Sequence, residues 1–388
     1  MVQLIVKYNF MIHRPYFLRL IKNAWEKRPL IWLSGVRRSG KTTLCKMIPD
    51  AEYFNCDLPS VARQLENPEF FYNNLKKDSI VIFDEIHRTN DPSRILKIGS
   101  DEFPQLKILA TGSSSLAATN KFRDSLTGRK IQLILPPVLW NECRNDFEIQ
   151  NFDERLLRGG LPEFLLSDDK KGEFYSEWIE SYYARDIQEL FNVRNRAGFL
   201  RLMHLLFMQS SGLMEITSLA KESGLSRPTV MSHLEALTVA HAVTIVPPYF
   251  GGGKKEIVKR PKVYAFDTGF VTHIKGWNEI RESDRGLLWE HLVLDMLKVT
   301  FGNVYYWSEK GKSEIDFIVK GEGNEIHTVE CKINPDKYSS EAVKKFRAYY
   351  PHGSNFCFSP QVKDPYKIKS GEAEVLILSA MDKEGLEE

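Results

Sequence analysis

A glycine-rich segment, residues 35–42, most constrains how this chain can fold. It reads Gly-Val-Arg-Arg-Ser-Gly-Lys-Thr, which fits the pattern G-x-x-x-x-G-K-[ST], and it follows the apolar run Leu30–Ser34. A short apolar run in this position is typical of a buried parallel strand. Gly35 and Gly40 allow the loop to turn its main-chain amides inward, where phosphate oxygens can approach them. The segment therefore predicts a phosphate-binding loop between a strand and a helix.

The residue types in this loop predict a nucleotide site. A helix that begins near Lys41 would direct its N-terminal amides toward the phosphates. We assign Lys41 to the β- and γ-phosphates and the Thr42 hydroxyl to Mg²⁺. The residues expected to contact ATP are Gly35, Val36, Arg37, Arg38, Ser39, Gly40, Lys41, Thr42 and Thr43.

A second apolar run, Ser79–Phe83, ends in the acidic pair Asp84-Glu85. Open α/β sheets bind ligands at the carboxyl ends of their strands, so this pair should lie beside the loop. We expect Asp84 to orient Mg²⁺ and Glu85 to polarise the attacking water, which favours hydrolysis over binding alone. Together the two segments predict a P-loop ATPase.

Arg129 is a candidate arginine finger, a residue that stabilises charge on the transferred phosphoryl group. A solvated arginine is the alternative interpretation. If Arg129 acts on the site of a second subunit, the protein forms at least a dimer.

Composition indicates several globular domains. A chain of 388 residues exceeds one ordinary core, so two or three domains are expected. The net charge of +2 provides no overall basic field, so any nucleic-acid surface has to be local.

The five scattered cysteines predict reduced thiols in a cytoplasmic protein. No apolar stretch approaches the ~20 residues of a membrane helix. The opening run Met1–Val6 is too short for a signal peptide. Met11 is an alternative start, which would make residues 1–10 an extension.

After a first domain at residues 1–150, aromatic residues at helical spacing predict a helical block at 151–211. We interpret the stripe formed by Phe174, Trp178, Tyr182 and Ile187 as core, and the block as a lid over the ATPase domain.

Residues 212–268 predict a winged-helix domain. An amphipathic helix, a turn at Gly224 and a second helix capped by Ser226 form a helix-turn-helix pattern. The segment between Lys254 and Lys262 adds a local charge of +4. DNA binding through Arg227 and His233 of the second helix is one interpretation, and a packing module of the ATPase is the other.

Residues 269–388 predict a third α/β unit with clustered charges. Asp316 lies in an alternating strand pattern, and Glu330 and Lys332 share one face of the next strand. If the two strands pair, these side chains could hold Mg²⁺ and hydrolyse a phosphodiester. The arrangement resembles the PD-(D/E)XK nuclease core, which also takes a carboxylate from a preceding helix. Glu290 stands at the matching position. The alternative interpretation of the charged residues is an exposed pair of strands joined by salt bridges.

Over nearly its whole length the chain resembles prokaryotic AAA-type ATPases with a C-terminal domain of unknown function (DUF4143) that is similar to PD-(D/E)XK nucleases. The resemblance rests on residues 35–43, 81–87, 110–114, 126–129, 158–163, 183–187, the winged-helix segment, 262–270, 286–292, 314–319 and 329–332. Departures occur at residues 136–142 and at His87 and Arg88, and neither touches the phosphate chemistry. In such ATPases a small polar residue after the third strand senses the γ-phosphate, which makes Ser113 or Thr111 a candidate. An ordinary strand-to-loop turn is the alternative.

The expected fold is α/β: a parallel-sheet P-loop domain, a helical lid with a winged helix, and a nuclease-like domain. The leading functional hypothesis is a Mg²⁺-dependent ATPase that acts on, or is regulated by, DNA or another nucleic acid. In this hypothesis Asp316, Glu330 and Lys332 are catalytic, and Glu290, Asp316 and Glu330 bind metal in a C-terminal nuclease. The second hypothesis is an ATP-switched interaction protein whose winged-helix and nuclease-like domains are scaffolds.

Overall fold

A five-stranded parallel sheet organises the first part of the chain. The computed structural model describes residues 13–112, 120–167, 172–188, 191, 193, 195–251, 260–309, 313–370 and 373–379. The strands follow the order β2-β3-β4-β1-β5, and each neighbouring pair is parallel. Their bounds are β1 Leu30–Ser34, β2 Ala51–Asn55, β3 Ile80–Asp84, β4 Lys107–Thr111 and β5 Lys130–Ile134.

The central strand β1 is apolar on both faces because helices cover both sides of the sheet. Successive side chains of a strand point to opposite faces. Leu30 and Trp32 therefore belong to one buried cluster and Ile31 and Leu33 to another. The helices of this part are α1 Pro15–Trp25, α2 Lys41–Lys46, α3 Pro59–Gln64, α4 Pro68–Asn73, α5 Pro92–Glu102 and α6 Asn120–Leu126.

Helices dominate the next part of the chain. Trp178 and Tyr182 stack with their ring centroids 4.7 Å apart, and both are buried, as is Ile187. Phe174 packs at the edge of the same apolar cluster, so the aromatic stripe is core. The elements are α7 Trp140–Asn145, α8 Phe152–Arg158, α9 Pro162–Leu165, α10 Glu173–Tyr182, a π-helical turn Tyr183–Gln188 and α11 Arg196–Met208.

A helix pair and a two-stranded antiparallel sheet follow: α12 Ile216–Ser223, α13 Arg227–Val239, β6 Val243–Val246 and β7 Lys262–Ala265. Gly224 ends α12 in the left-handed conformation, and Ser226 accepts a hydrogen bond from the Thr229 amide at the start of α13.

One prediction for α13 is corrected. His233 does not reach outward, because its imidazole is buried 5.3 Å from the ring of Phe199. Arg227 is exposed. Residues 254–259 of the predicted basic segment lie outside the described residues.

The C-terminal part is a six-stranded mixed sheet in the order β12-β13-β11-β10-β9-β8. Its strands β9 and β10 are antiparallel, with Phe317 opposite Val329, so the predicted hairpin is present. The bounds are α14 Thr268–Ile274, α15 Glu282–Phe301, β8 Val304–Glu309, β9 Ser313–Lys320, β10 Ile326–Cys331, α16 Glu341–Tyr349, β11 Asn355–Phe358, β12 Tyr366–Ser370 and β13 Ala373–Leu378. No described helix combines the length and the apolar character needed to cross a membrane.

The largest apolar cluster crosses the domain boundaries expected from the sequence. It contains Val36 of the phosphate loop, Trp178 of α10, Phe266 after β7, Trp289 of α15 and Phe358 of β11. The boundaries after residues 150, 211 and 268 therefore fall within one continuous core.

Arg14, at the start of helix α1, forms a buried ion pair with Glu142 of α7 and also contacts the phosphate loop. Arg14 donates from Nε and Nη2 to the two carboxylate oxygens of Glu142, at 2.9 and 2.6 Å. Its Nη1 donates to the carbonyls of Ser39 and Pro136, at 3.3 and 3.1 Å. Both side chains are almost fully buried, at 5% and 1% exposure. Arg14 therefore fixes the main chain of the loop from outside the sheet.

We predict that Arg14→Met lowers the free energy of unfolding by about 3–5 kcal/mol, because it leaves the Glu142 carboxylate buried without a counter-charge. Urea denaturation measures this loss. The control is Arg19→Met on the exposed side of the same helix, which should change stability by less than about 0.5 kcal/mol. Equal stabilities of the two variants would contradict the role of the pair.

Candidate nucleotide site and C-terminal charge cluster

The two glycines of the phosphate loop adopt dihedrals that other residues rarely reach. Gly35 has a φ of 149°, and a Cβ there would collide with the carbonyl oxygen of Leu135. Gly40 has a φ of 95° and caps the N-terminus of α2. The loop consequently packs against β5 and leads directly into the helix, as the spacing predicts.

Lys41 lies inside the loop and is surrounded by carboxylates. Its Nζ donates to the carbonyls of Gly35 and Val36, at 2.9 and 3.1 Å. Burial lowers the pKa of Lys41, and Glu85, Asp186 and Asp84 oppose that shift. The ammonium is thus held at the carboxyl end of β1, next to the acidic pair at the carboxyl end of β3.

Asp84 collects three hydroxyl groups. Thr42 and Tyr53 donate to its Oδ2 at 2.8 and 2.6 Å, and Thr111 donates to its Oδ1 at 2.5 Å. The Thr42 hydroxyl and the Asp84 carboxylate are hard oxygen donors side by side, a donor set that fits Mg²⁺. Tyr53 was not identified from the sequence. It reaches Asp84 only because β2 and β3 are neighbours in the sheet.

Glu85 follows β3 in the left-handed conformation, with a φ of 57°. Its amide donates to the Thr111 hydroxyl at 3.0 Å, and its carboxylate lies 3.2 Å from Nδ1 of His87. Burial acts to raise the pKa of Glu85, but the hydrogen bond to His87 and the charge of Lys41 outweigh it, and the net pKa is lowered. The carboxylate is therefore ionised at neutral pH and can accept a proton. Thr111 is the sensor candidate that the structure describes, whereas Ser113 lies outside the described residues.

Arg129 is not at the phosphate edge of its own chain, so an arginine finger at this position would have to act on a second subunit. It precedes β5, which pairs in parallel with β1 so that Lys130 is opposite Leu30. Arg129 is consequently at the amino ends of the strands, whereas the phosphate loop follows their carboxyl ends. Its Nε donates to Asp101 at 2.6 Å.

The helical part contacts the phosphate loop directly. Trp178 donates from Nε1 to the carbonyl of Arg37 at 3.2 Å. Arg37 pairs with Asp186, and Arg38 pairs with Glu177. Both arginine side chains that the pattern assigns to the nucleotide therefore face carboxylates of the helical part. Of the other loop residues, Val36 and Ser39 are buried and Thr43 is exposed.

The predicted C-terminal residues do come together. Asp316 accepts a hydrogen bond from the Cys331 amide at 2.8 Å. Lys332 Nζ is 2.7 Å from Glu330 and 3.7 Å from Asp316. Glu290 of α15 faces the same group and accepts a hydrogen bond from the Tyr264 hydroxyl at 3.0 Å.

A second lysine, which the sequence assigned to the basic segment of the wing, also joins this cluster. Lys262 of β7 is buried and forms an ion pair with Glu314. Burial acts to lower the pKa of Lys262, but Glu290, Glu314 and Asp316 outweigh it, and the net pKa is raised. No sequence pattern marked this contact, because it depends on how β7 packs against the C-terminal sheet. Because its side chain is buried, Lys262 is not part of the surface that we expected to contact DNA.

The metal site predicted from Glu290, Asp316 and Glu330 stays a prediction. Among the described residues, no group of three or more His, Cys, Asp or Glu side chains is spaced as a preformed metal site. The ammonium groups of Lys262 and Lys332 supply positive charge within the cluster.

Three family models match successive parts of the chain: an AAA domain over residues 27–144, a domain of unknown function (DUF8612) over 149–281, and a domain of unknown function (DUF4143) over 285–373. The chain therefore carries an AAA domain and a C-terminal DUF4143 domain, which confirms the resemblance to AAA-type ATPases that end in this domain.

Two uncharacterized proteins, from Mycobacterium tuberculosis and Mycobacterium bovis, are each 27% identical to this chain over 317 residues, which is 78% of this chain and 70% of theirs. Among solved structures, a Walker-type ATPase of Pyrococcus abyssi is 18% identical, with a TM-score of 0.41, and the match covers 68% of this chain and 96% of that one. A DNA replication initiation factor is 16% identical, with a TM-score of 0.27 and coverages of 61% and 80%.

The charge cluster predicts a specific dependence of stability on pH. Burial and the nearby Asp316 raise the pKa of Glu290 above its ordinary value of 4.5. Between that value and the raised pKa the native carboxyl keeps a proton that the unfolded one releases, so this group makes unfolding easier as the pH rises.

We predict that the free energy of unfolding falls less steeply with rising pH in Glu290→Gln than in the wild type between pH 5 and pH 8. The slopes should differ by up to about 1.4 kcal/mol per pH unit. Denaturation curves across this range measure the slope. Glu282→Gln, at an exposed position of the same helix, should retain the wild-type slope. A Glu290→Gln protein with an unchanged slope would show that Glu290 titrates normally.

Proposed function

We propose that this protein hydrolyses ATP in a Mg²⁺-dependent reaction at the phosphate loop. The observation that carries the proposal is the placement of Thr42, Asp84 and Lys41 around the carboxyl end of β1, with an ionised Glu85 beside them. These groups are the ones that phosphoryl transfer in P-loop proteins uses.

Each residue has a distinct task in this proposal. The loop amides and Lys41 would neutralise the triphosphate. Thr42 and Asp84 would hold Mg²⁺, which supplies positive charge to the phosphate oxygens when it is bound. Glu85 would orient and deprotonate the attacking water. Thr111 would fix Asp84 and Glu85 relative to each other, since it hydrogen-bonds to both.

Arg129 could contribute to this reaction only from a second subunit, because it lies at the opposite edge of its own sheet. A homo-oligomer in which Arg129 of one copy approaches the phosphates of another is therefore part of the proposal. Full ATPase activity of the Arg129→Ala protein would contradict this part of the proposal.

We predict that Lys41→Ala abolishes ATP turnover, and that Glu85→Gln retains nucleotide binding while turnover falls by about 100-fold or more. Phosphate release in the presence of Mg²⁺ measures turnover, and calorimetry measures binding. Lys22→Ala, an exposed lysine of α1, should behave as wild type. Unchanged hydrolysis by Lys41→Ala would refute the assignment.

A second candidate function is a nucleotide-switched interaction protein with a non-catalytic C-terminal domain. It is favoured by the ammonium group of Lys262, which enters the carboxylate cluster from β7 in addition to the lysine that a nuclease would use. Contacts of the helical part with Arg37 and Arg38 would then couple nucleotide binding to the rest of the chain.

The competing proposal, a nucleic-acid-directed ATPase with an active nuclease, predicts cleavage of plasmid, single-stranded DNA or RNA with Mg²⁺ or Mn²⁺. The interaction-protein candidate predicts no cleavage, with or without ATP. Cleavage that Asp316→Ala abolishes would establish the nuclease instead. DNA binding through Arg227 and the basic segment would show itself as an affinity that falls steeply with added salt.

A further inference from the structure

The π-helical turn Tyr183–Gln188 brings a carboxylate from outside the AAA domain to the phosphate loop. Oδ2 of Asp186 lies 3.6 Å from Nη1 of Arg37. Burial raises the pKa of Asp186, and the charges of Arg37 and Lys41 oppose that shift. Residues 183–187 belong to the regions that carry the family resemblance, yet the hydrolysis proposed above makes no use of them.

The core holds this turn in place. Tyr182 and Ile187 are buried on either side of Asp186, and the Tyr183 hydroxyl donates to the carbonyl of Val193 at 3.1 Å. A π-turn carries an extra residue relative to an α-helix and frequently occurs at functional sites. Asp186 therefore approaches the loop from a packed support and not from a surface loop.

The contact between Asp186 and Arg37 is an incomplete one. Its distance of 3.6 Å is too long for a hydrogen bond. Within the described parts of the chain, Oδ2 of Asp186 and Nε of Arg37 are buried and have no hydrogen-bond partner. Buried polar atoms without partners are uncommon in proteins and call for an explanation. A phosphate oxygen is an acceptor that a guanidinium binds in better geometry.

We propose that Asp186 competes with the nucleotide phosphates for the positive charges of Arg37 and Lys41. The inference rests on the nucleotide site described above and adds a nucleotide-responsive contact to it. Phosphates that bind the loop repel the Asp186 carboxylate. The same repulsion weakens phosphate binding, because the coupling between the two is reciprocal.

The contact also gives the chain a route by which nucleotide binding reaches distant parts. Trp178 donates to the Arg37 carbonyl and stacks on Phe266 with ring centroids 4.8 Å apart. Phe266 directly follows β7, the strand whose Lys262 lies in the C-terminal charge cluster. The loop residue that Asp186 faces is thus linked by packed side chains to the strand that precedes the DUF4143 domain.

Calorimetry with the full-length Asp186→Asn variant tests the proposal. Loss of the negative charge should strengthen Mg²⁺–ATP binding about tenfold and strengthen ADP binding less, because the repulsion grows with phosphate charge. Adenosine binding should not change, whereas a merely structural defect would alter all three ligands alike. ATP binding that is unchanged or weaker, or an equal change for adenosine, would overturn the proposal.

Glu173→Gln is the matched control. Glu173 is an exposed carboxylate at the start of α10, where water screens its charge. Its ATP affinity should stay within about twofold of wild type.

The same wild-type preparation separates the two proposals. Wild-type protein that binds ATP without hydrolysing it would refute the proposed function and leave this inference standing. Wild-type ATP hydrolysis together with unaltered ATP binding by Asp186→Asn would support the proposed function and refute this inference.

Hydrogen exchange provides a test that needs no variant. In wild-type protein, amides of residues 183–188 should exchange faster when Mg²⁺–ATP is bound than without nucleotide, because the Asp186–Arg37 contact is then broken. Unchanged or slower exchange there would contradict the proposal.

Discussion

The conformation of the loop between β1 and α2 is the constraint on which the rest of the structure depends. Its main chain turns too tightly for side chains at Gly35, and its carbonyls need partners because the loop is buried. Distant parts of the chain supply them: Arg14 binds the Ser39 carbonyl, Trp178 binds the Arg37 carbonyl, and Lys41 binds the Gly35 carbonyl. The phosphate site is therefore built by several segments of the chain and not by its motif alone.

The C-terminal cluster follows a different physical logic. Carboxylates that come together in a partly buried place need positive charge, from a metal ion or from the protein itself. Here Lys332 supplies it from the end of β10 and Lys262 supplies it from β7, which precedes the DUF4143 domain in the chain. This arrangement ties the domain to its neighbour. The segment that resembles a nuclease core thus also takes part in a contact between parts of the molecule.

Local chemistry explains which features could be predicted. The strand at residues 30–34 and the caps at Gly224 and Ser226 depend on neighbouring residues, and the structure reproduces them. His233 illustrates the opposite case. A histidine on a helix can face solvent or core, and only the packing of α13 against Phe199 decides between them. Arg129 shows the same limit, because its edge of the sheet is fixed by the direction of β5 relative to β1.

The sequence by itself determined the phosphate loop, the acidic pair at the end of β3 and the β9–β10 hairpin, because spacing along the chain defines each of them. Only the tertiary structure decided that Tyr53 would bind Asp84, that Asp186 would face Arg37 and that Lys262 would enter the carboxylate cluster. Each of these contacts joins side chains from separate elements. Their positions follow from how helices and sheets pack, which no local pattern encodes.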